Sequence, residues 1–179
     1  MAMDSPKDEL IWIVDEKNRP LGGTTRAIMR AKRLIHRSTY IMVTDPEGRL
    51  LLQKRTLSKD VYPGLWEIAA GGVVAYGEGY LESALRELEE ETGIKTPNLK
   101  KHLDFYYEDD VNRLWGRLFS CTHKGDIRPQ EEEVEEAIFA DKKTLARLMA
   151  NEKFTPDSYF LMKIIKDEAI TPFDRLFLP

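Results

Sequence analysis

The order of apolar and polar residues separates stretches that alternate, as strands do, from stretches whose apolar positions recur at helical spacing. "LIWIVDEKNRPLGG" places β-branched and aromatic residues ahead of Asn18, Pro20 and two glycines, which predicts a short strand running into a turn. "TTRAIMRAKRLIH" predicts a helix. In "STYIMVTDPEGRLLLQKR" two β-rich runs, Tyr40 to Thr44 and Arg49 to Lys54, flank Asp45, Pro46, Glu47 and Gly48, which predicts a hairpin. A loop, "SKDVYP", enters a short strand at Trp66 to Ala70 that stops at Gly71 and Gly72. A helix follows, ended by Gly93, a residue that tolerates the left-handed backbone of a helix terminus.

Beyond it, "HLDFYYED" and "RLWGRLFSCT" alternate like an antiparallel pair, and "VEEAIFA" predicts a further strand. "DKKTLARLMAN" and "PDSYFLMKIIKDEA" predict two closing helices, the second started by Pro156 after Thr155. Strands and helices mix without strict βαβ alternation, so the expected class is α/β, a mixed sheet flanked by helices. The chain has 179 residues, 42% of them hydrophobic, which suits one domain spanning 1–179. No apolar run approaches a bilayer span and "MAMDSPKDEL" lacks the flank of a signal peptide, so a soluble, cytoplasmic protein is expected. Net charge is −4 with no long basic block, which argues against nucleic acid as a partner.

In the central helix, Leu81, Ala84, Leu85 and Leu88 fall on one stripe and predict the packed side. Glu87, Glu90 and Glu91 gather on another face. Like charges at this spacing repel, so the cluster costs stability unless something cationic sits there. An acidic helix face alone is commonly a solvated surface. The surrounding residues change that reading: Gly72, five residues, Glu78, seven residues, Arg86, Glu87, Leu88, one residue, Glu90, Glu91, one residue, Gly93, Ile94.

This series resembles, at every specified position, the Nudix box of the Nudix hydrolases, here 72–94. Seven fixed identities and two apolar positions coincide by chance with a probability below about one in a million. The resemblance implies the Nudix fold, a mixed β-sheet sandwiched between α-helices with its core at about 35–168. It implies metal ligation by Glu87, Glu90 and Glu91 together with the backbone carbonyl of Gly71. Arg86 would orient a carboxylate, and Glu78 would brace the loop or support the metal from behind its ligands. Oxygen ligands on one helical turn suit Mg²⁺ or Mn²⁺, which takes part of its shell from substrate phosphates. The implied reaction is hydrolysis of a diphosphate linkage in a nucleoside diphosphate derivative or related organic diphosphate, a small-molecule substrate. Members of the family use a box glutamate or a later carboxylate as general base, so Glu90 is the first candidate, with Glu131, Glu132, Glu133 and Glu136 behind it. Dimers are common in the family, which makes a homodimer the expectation.

Upstream, "VDEKNRPLGGTTRAIMRAKRLIHRSTYIMV" and "GRLLLQKRTLSKDVYPGLW" are similar to the front half of isopentenyl-diphosphate isomerases, which share the fold. That similarity implies diphosphate contacts at Arg55 and Lys59, which a solvated hairpin edge would explain equally well. The isomerase reaction needs a cysteine where Gly71 stands and histidines where Val73 and Met29 stand, so this chain departs from it at the decisive positions. The whole chain resembles a bacterial group of Nudix hydrolases that carries this front end. A third class is a Nudix-fold module that binds its ligand without cutting it.

Several residues are read as structural. His36 is expected to hydrogen-bond locally. Cys121, the single cysteine, is expected to be a buried thiol. Tyr106, Tyr107, Trp115 and Phe119 are expected in the core ahead of a base-stacking role. Thr155 to Asp157 is expected to cap the last helix.

Overall fold

The computed structural model describes residues 7–96 and 98–177. Eight strands form one mixed sheet, and its helices lie on both faces. The chain opens with β1 (Leu10–Val14), β2 (Pro20–Thr25), α1 (Arg26–Lys32) and β3 (His36–Thr44). β4 (Leu50–Arg55) and the short β5 (Trp66–Glu67) precede the central helix α2 (Tyr80–Thr92). β6 (Lys100–Glu108), β7 (Arg113–Thr122) and β8 (Val134–Ala140) follow, then α3 (Lys142–Asn151), α4 (Pro156–Asp167) and the four-residue α5 (Asp174–Phe177).

The period of two in β3 sets the layers. Ile41 and Val43 point to one face, where they pack with Leu51 of β4 and with Tyr80, Ala84 and Leu88 of α2. Tyr40 and Met42 point to the other, against Leu52, Leu145 of α3, and Leu161, Met162 and Ile165 of α4. Both faces are covered, which is why β3 reads as an almost unbroken apolar run. The termini of the helices follow their sequences. Thr155 accepts the Ser158 amide at 3.3 Å and caps α4, as expected, and Gly93 ends α2 with φ +73° and its N–H on the Glu89 carbonyl at 2.8 Å.

Four expectations change. The turn at Asp45–Gly48 forms, with Gly48 at φ +79°, but the flanking strands share a single register pair, Thr44 with Leu50. β3 instead pairs in parallel with β7 from His36–Leu114 to Thr44–Thr122, and β4 pairs antiparallel with β8. Each strand finds a longer ladder on its far edge, so the two diverge beyond the turn. The space that β4 leaves along β3 is taken by residues 70–74: Ile41 N–H donates to Ala70 O at 2.7 Å, Thr39 N–H to Gly72 O at 2.8 Å, and Val74 N–H to Arg37 O at 2.9 Å. Second, Pro20 to Thr25, read as a turn running into a helix, forms β2, the antiparallel partner of β1 at the sheet edge, where proline and glycine are tolerated. Third, β5 ends at Glu67, because the chain beyond it bends away to reach β3. Fourth, Leu81 is 48% exposed and lies off the packed stripe of α2, while Tyr80 and Ser83 are buried.

Among the expected core rings, Tyr107 and Phe119 are buried, while Tyr106 and Trp115 are only partly so. Cys121 is half-buried against the α2 side of the sheet, and burial pushes its thiol up to about 11. Among the described residues no helix is long and apolar enough to cross a membrane.

Candidate active site

The splayed hairpin holds a glycine loop against the middle of the sheet, and α2 lays its acidic face on that loop. Gly71 sits at φ +137°, and a Cβ there would overlap the Thr39 carbonyl oxygen. At Gly72 an added Cβ would stand 2.7 Å from the Glu87 carboxylate. Backbone and acid therefore meet at a closeness that only glycine permits.

The three box glutamates differ in their surroundings. Glu87 and Glu91 are 8% and 3% exposed, so the acidic face of α2 is packed as well as the apolar one. Glu91 accepts the Gly71 amide at 3.0 Å and the Gln53 side-chain amide at 3.4 Å. Burial pushes Glu87 up to about 7, and burial together with the nearby charges of Glu67 and Glu87 holds Glu91 well above the usual carboxylate range. Glu90 stands half in solvent.

Arg86 ties this face together. Its Nε and one terminal nitrogen grip both oxygens of Glu78 at 2.9 and 3.0 Å, while the other terminal nitrogen donates to Glu87 at 2.9 Å and to Glu90 at 3.0 Å. The bidentate grip holds Glu78 below its ordinary range and raises Arg86. Glu78, at the entrance to α2, thus fixes the guanidinium that in turn holds two box carboxylates.

Gly71, Gly72, Arg86, Glu87, Glu90 and Glu91 line a cavity of about 490 Å³ that also contains Arg55 and Lys59, while Glu78 lies outside its lining and reaches it only through Arg86. Arg55 donates to Glu67 at 3.0 Å and to the Val61 carbonyl at 3.0 Å, and Lys59 donates to Glu133 at 2.7 Å. Of the four later acids named from the sequence, Glu133 lines the cavity; Glu131, Glu132 and Glu136 are exposed and lie outside its lining. Sequence reasoning missed Glu67, a partly buried acid held up by desolvation, and Asp157, which accepts the Tyr40 hydroxyl at 2.9 Å. Both line the cavity. Asp157 sits in the first turn of a helix, where an acid is ordinary, and Glu67 sits on a two-residue strand, so neither carried a local signal. His36, also at the wall, is 1% exposed, contacts the Leu34 carbonyl at 3.2 Å, and is driven by burial down to about 3, as a locally bonded neutral histidine should be.

The donor set suits a hard divalent cation: oxygen ligands only, three of them carboxylates, and two of those buried against the loop backbone. Among the described residues, no three acidic, histidine or cysteine side chains already converge as a cage, because Arg86 draws Glu87 and Glu90 toward itself while Glu91 turns to the Gly71 amide.

Comparison with known proteins gives a consistent family. The NUDIX domain model matches residues 34–160. An uncharacterised Nudix hydrolase of Pseudomonas aeruginosa is 43% identical over 159 residues, covering 89% of this chain and 94% of its own length. The Nudix hydrolase YfcD of Escherichia coli is 41% identical over 167 residues, covering 90% and 92%. In three dimensions, the DR0079 protein of Deinococcus radiodurans superposes with a TM-score of 0.74 at 20% identity, over 89% of this chain and 98% of that one, a likeness of fold. The chain belongs to the Nudix hydrolase family, as an enzyme of the pyrophosphohydrolase class that acts in general on nucleoside diphosphate derivatives.

Proposed function

We propose that the cavity hydrolyses the diphosphate linkage of a nucleoside diphosphate derivative or related organic diphosphate with the help of Mg²⁺ or Mn²⁺. The observation that carries this reading is the burial of Glu87 and Glu91 against Gly71 and Gly72. Burying two carboxylates side by side is unfavourable unless their charge is matched. Glu87, Glu90 and Glu91, with the Gly71 carbonyl, would hold the cation, which when bound neutralises the diphosphate and lowers the pKa of water.

The chain's own residues supply the rest. Arg86, fixed by Glu78, positions Glu87 and Glu90. Arg55 and Lys59, which line the same cavity, would present cationic nitrogen donors to the substrate phosphates. Two carboxylates are candidates to take a proton from the attacking water: Glu90, half exposed on α2, and Glu133, which pairs with Lys59 at the cavity wall. Residues 1–179 are read as one Nudix domain whose box spans 72–94.

The isomerase reading loses support from a specific packing feature. Met29 and Val73, at the positions where isomerases carry histidines, are 1% and 5% exposed and pack with Ile11 as a small apolar cluster. Product analysis tests the proposal: ADP-ribose, dinucleotides, CoA and isopentenyl diphosphate are incubated with Mg²⁺ or Mn²⁺ and the products resolved. Cleavage at the diphosphate supports it. An allylic diphosphate formed from isopentenyl diphosphate would favour the isomerase, and tight binding without turnover in the presence of Mg²⁺ would favour a binding module.

A further inference from the structure

The cavity has a second charged wall that the proposed chemistry does not use. α1 carries Arg26 and Arg30, one turn apart on one face, and both line the cavity beside Arg55. Neither belongs to the box, and neither is among the diphosphate contacts implied by the isomerase-like front half. Arg26 is steadied by Glu9 at 2.7 Å. Arg30 donates to Asn112, in the turn between β6 and β7, and its Nε stands 3.6 Å from Asp60, beyond hydrogen-bond reach.

These contacts leave donors over. The Nε–H groups of Arg26 and Arg30 are both buried without a hydrogen-bond acceptor among the described residues. Such donors are costly to leave unmade, and native structures rarely do so without a reason. The counter-charge nearest Arg30 is loosely held: Asp60 is 53% exposed and stands 3.6 Å away, so solvent screens part of its attraction. Burial lowers Arg30 below the ordinary arginine range against the attraction of Asp60, with smaller repulsions from Arg26 and Arg55 in the same direction as burial, while His36 beside them stays neutral. Cationic groups are thus held close together facing a shared space.

We propose that Arg26 and Arg30 form a second anion-binding subsite, which takes a phosphate group of the substrate other than the two joined by the scissile bond. The proposal rests on reading the cavity as a diphosphate hydrolase site and narrows its substrate to an organic diphosphate that carries a further phosphate monoester. Arg55 and Lys59 are anchored through Glu67 and Glu133, whereas Arg26 pairs with Glu9 and Arg30 is held at Asn112 near Asp60, so the two pairs of cations are tied to different partners around one cavity. Two guanidinium forks match the several oxygens of a phosphate dianion better than a single point charge would.

The test has two arms. In EDTA, where no turnover occurs, inorganic phosphate is titrated against the melting temperature with chloride at matched ionic strength as the control. The wild type is expected to gain roughly 5 °C at saturation, Arg26→Gln and Arg30→Gln to lose most of that gain, the remainder being phosphate held at Arg55 and Lys59, and Arg30→Lys, which keeps the charge without the fork, to need about tenfold more phosphate. No gain over chloride in the wild type, or an equal gain in Arg30→Gln, overturns the subsite. In the second arm, kcat/KM is compared within matched pairs that differ by one phosphate monoester, CoA with dephospho-CoA and NADPH with NADH. The expected result is a tenfold or larger preference for the phosphorylated member of one pair, collapsing toward unity in Arg30→Gln. Cleavage without preference, or a preference that survives in the variant, overturns the assignment. If neither pair is cleaved, the hydrolase reading is what loses support on these substrates, and the phosphate titration alone decides the subsite.

Discussion

Replacing Glu91 by Gln separates a metal ligand from a structural carboxylate, because the two roles predict opposite changes in stability. Glu91 is 3% exposed, accepts the Gly71 amide at 3.0 Å, and shares its surroundings with Glu67 and Glu87. The glutamine oxygen can still accept from Gly71, so the substitution removes charge and leaves the loop contact in place. In EDTA the variant should therefore match or exceed the wild type, by about 1 kcal/mol or more, since an uncompensated buried charge is gone. Saturating cation reverses the order. A ligand at one hundred times its Kd stabilises the folded state by about 2.7 kcal/mol, and for a chain of this size each kcal/mol moves Tm by about 2–4 °C. The wild type should gain about 5–11 °C on going from EDTA to saturating Mg²⁺ or Mn²⁺, and Glu91→Gln should lose most of that gain. Differential scanning fluorimetry with and without the metal reads both effects. A variant that is less stable in EDTA and keeps the full metal-dependent rise would refute the reasoning, because Glu91 would then be holding the fold and not the cation.

The remaining predictions probe the loop, the bridge and the buried histidine. Gly72→Ala should lower kcat at least tenfold with the fold retained, by pushing the Glu87 carboxylate from its place 2.7 Å from the new Cβ, whereas Gly71→Ala should cost stability as well, about 1–3 kcal/mol from backbone strain alone, measured by denaturant unfolding. Arg86→Lys should lower kcat about tenfold or more, since one ammonium cannot span Glu78, Glu87 and Glu90 as the guanidinium does; unchanged kcat would remove Arg86 from its positioning role. His36 contributes stability that is present above its unfolded pKa of 6.5 and lost as pH falls toward its folded value of about 3, at up to about 1.4 kcal/mol per pH unit. His36→Gln should flatten that acid-side slope. The comparison must be between wild type and variant, because Glu87, raised to about 7, contributes a slope of opposite sign over part of the same window.

The elements closest to the proposed chemistry were the most legible in the sequence. The box spacing named Glu78, Arg86, Glu87, Glu90 and Glu91 because the loop and helix that hold them are contiguous, so fixed spacing implies fixed geometry. What local pattern could not express was pairing at a distance. β3 and β4 carry every mark of a hairpin, yet each finds a longer ladder elsewhere, and the resulting gap is where Gly71 and Gly72 lodge. Amphipathicity likewise misjudged α2: Leu81 is exposed and Glu87 and Glu91 are buried, because the loop packs on the acidic side. Glu67, Asp157 and the pair Arg26 and Arg30 enter the cavity from three separate elements, β5, α4 and α1, so only the tertiary fold assembles them.

The most direct measurement is Mn²⁺ binding followed by electron paramagnetic resonance, titrated into wild type, Glu87→Gln and Glu91→Gln at equal protein concentration. The account predicts loss of the free-ion signal on binding to the wild type and at least tenfold weaker binding in both variants, each still folded by circular dichroism. Equal binding in all three proteins would contradict it, because the cation would then be held by something other than the two buried carboxylates.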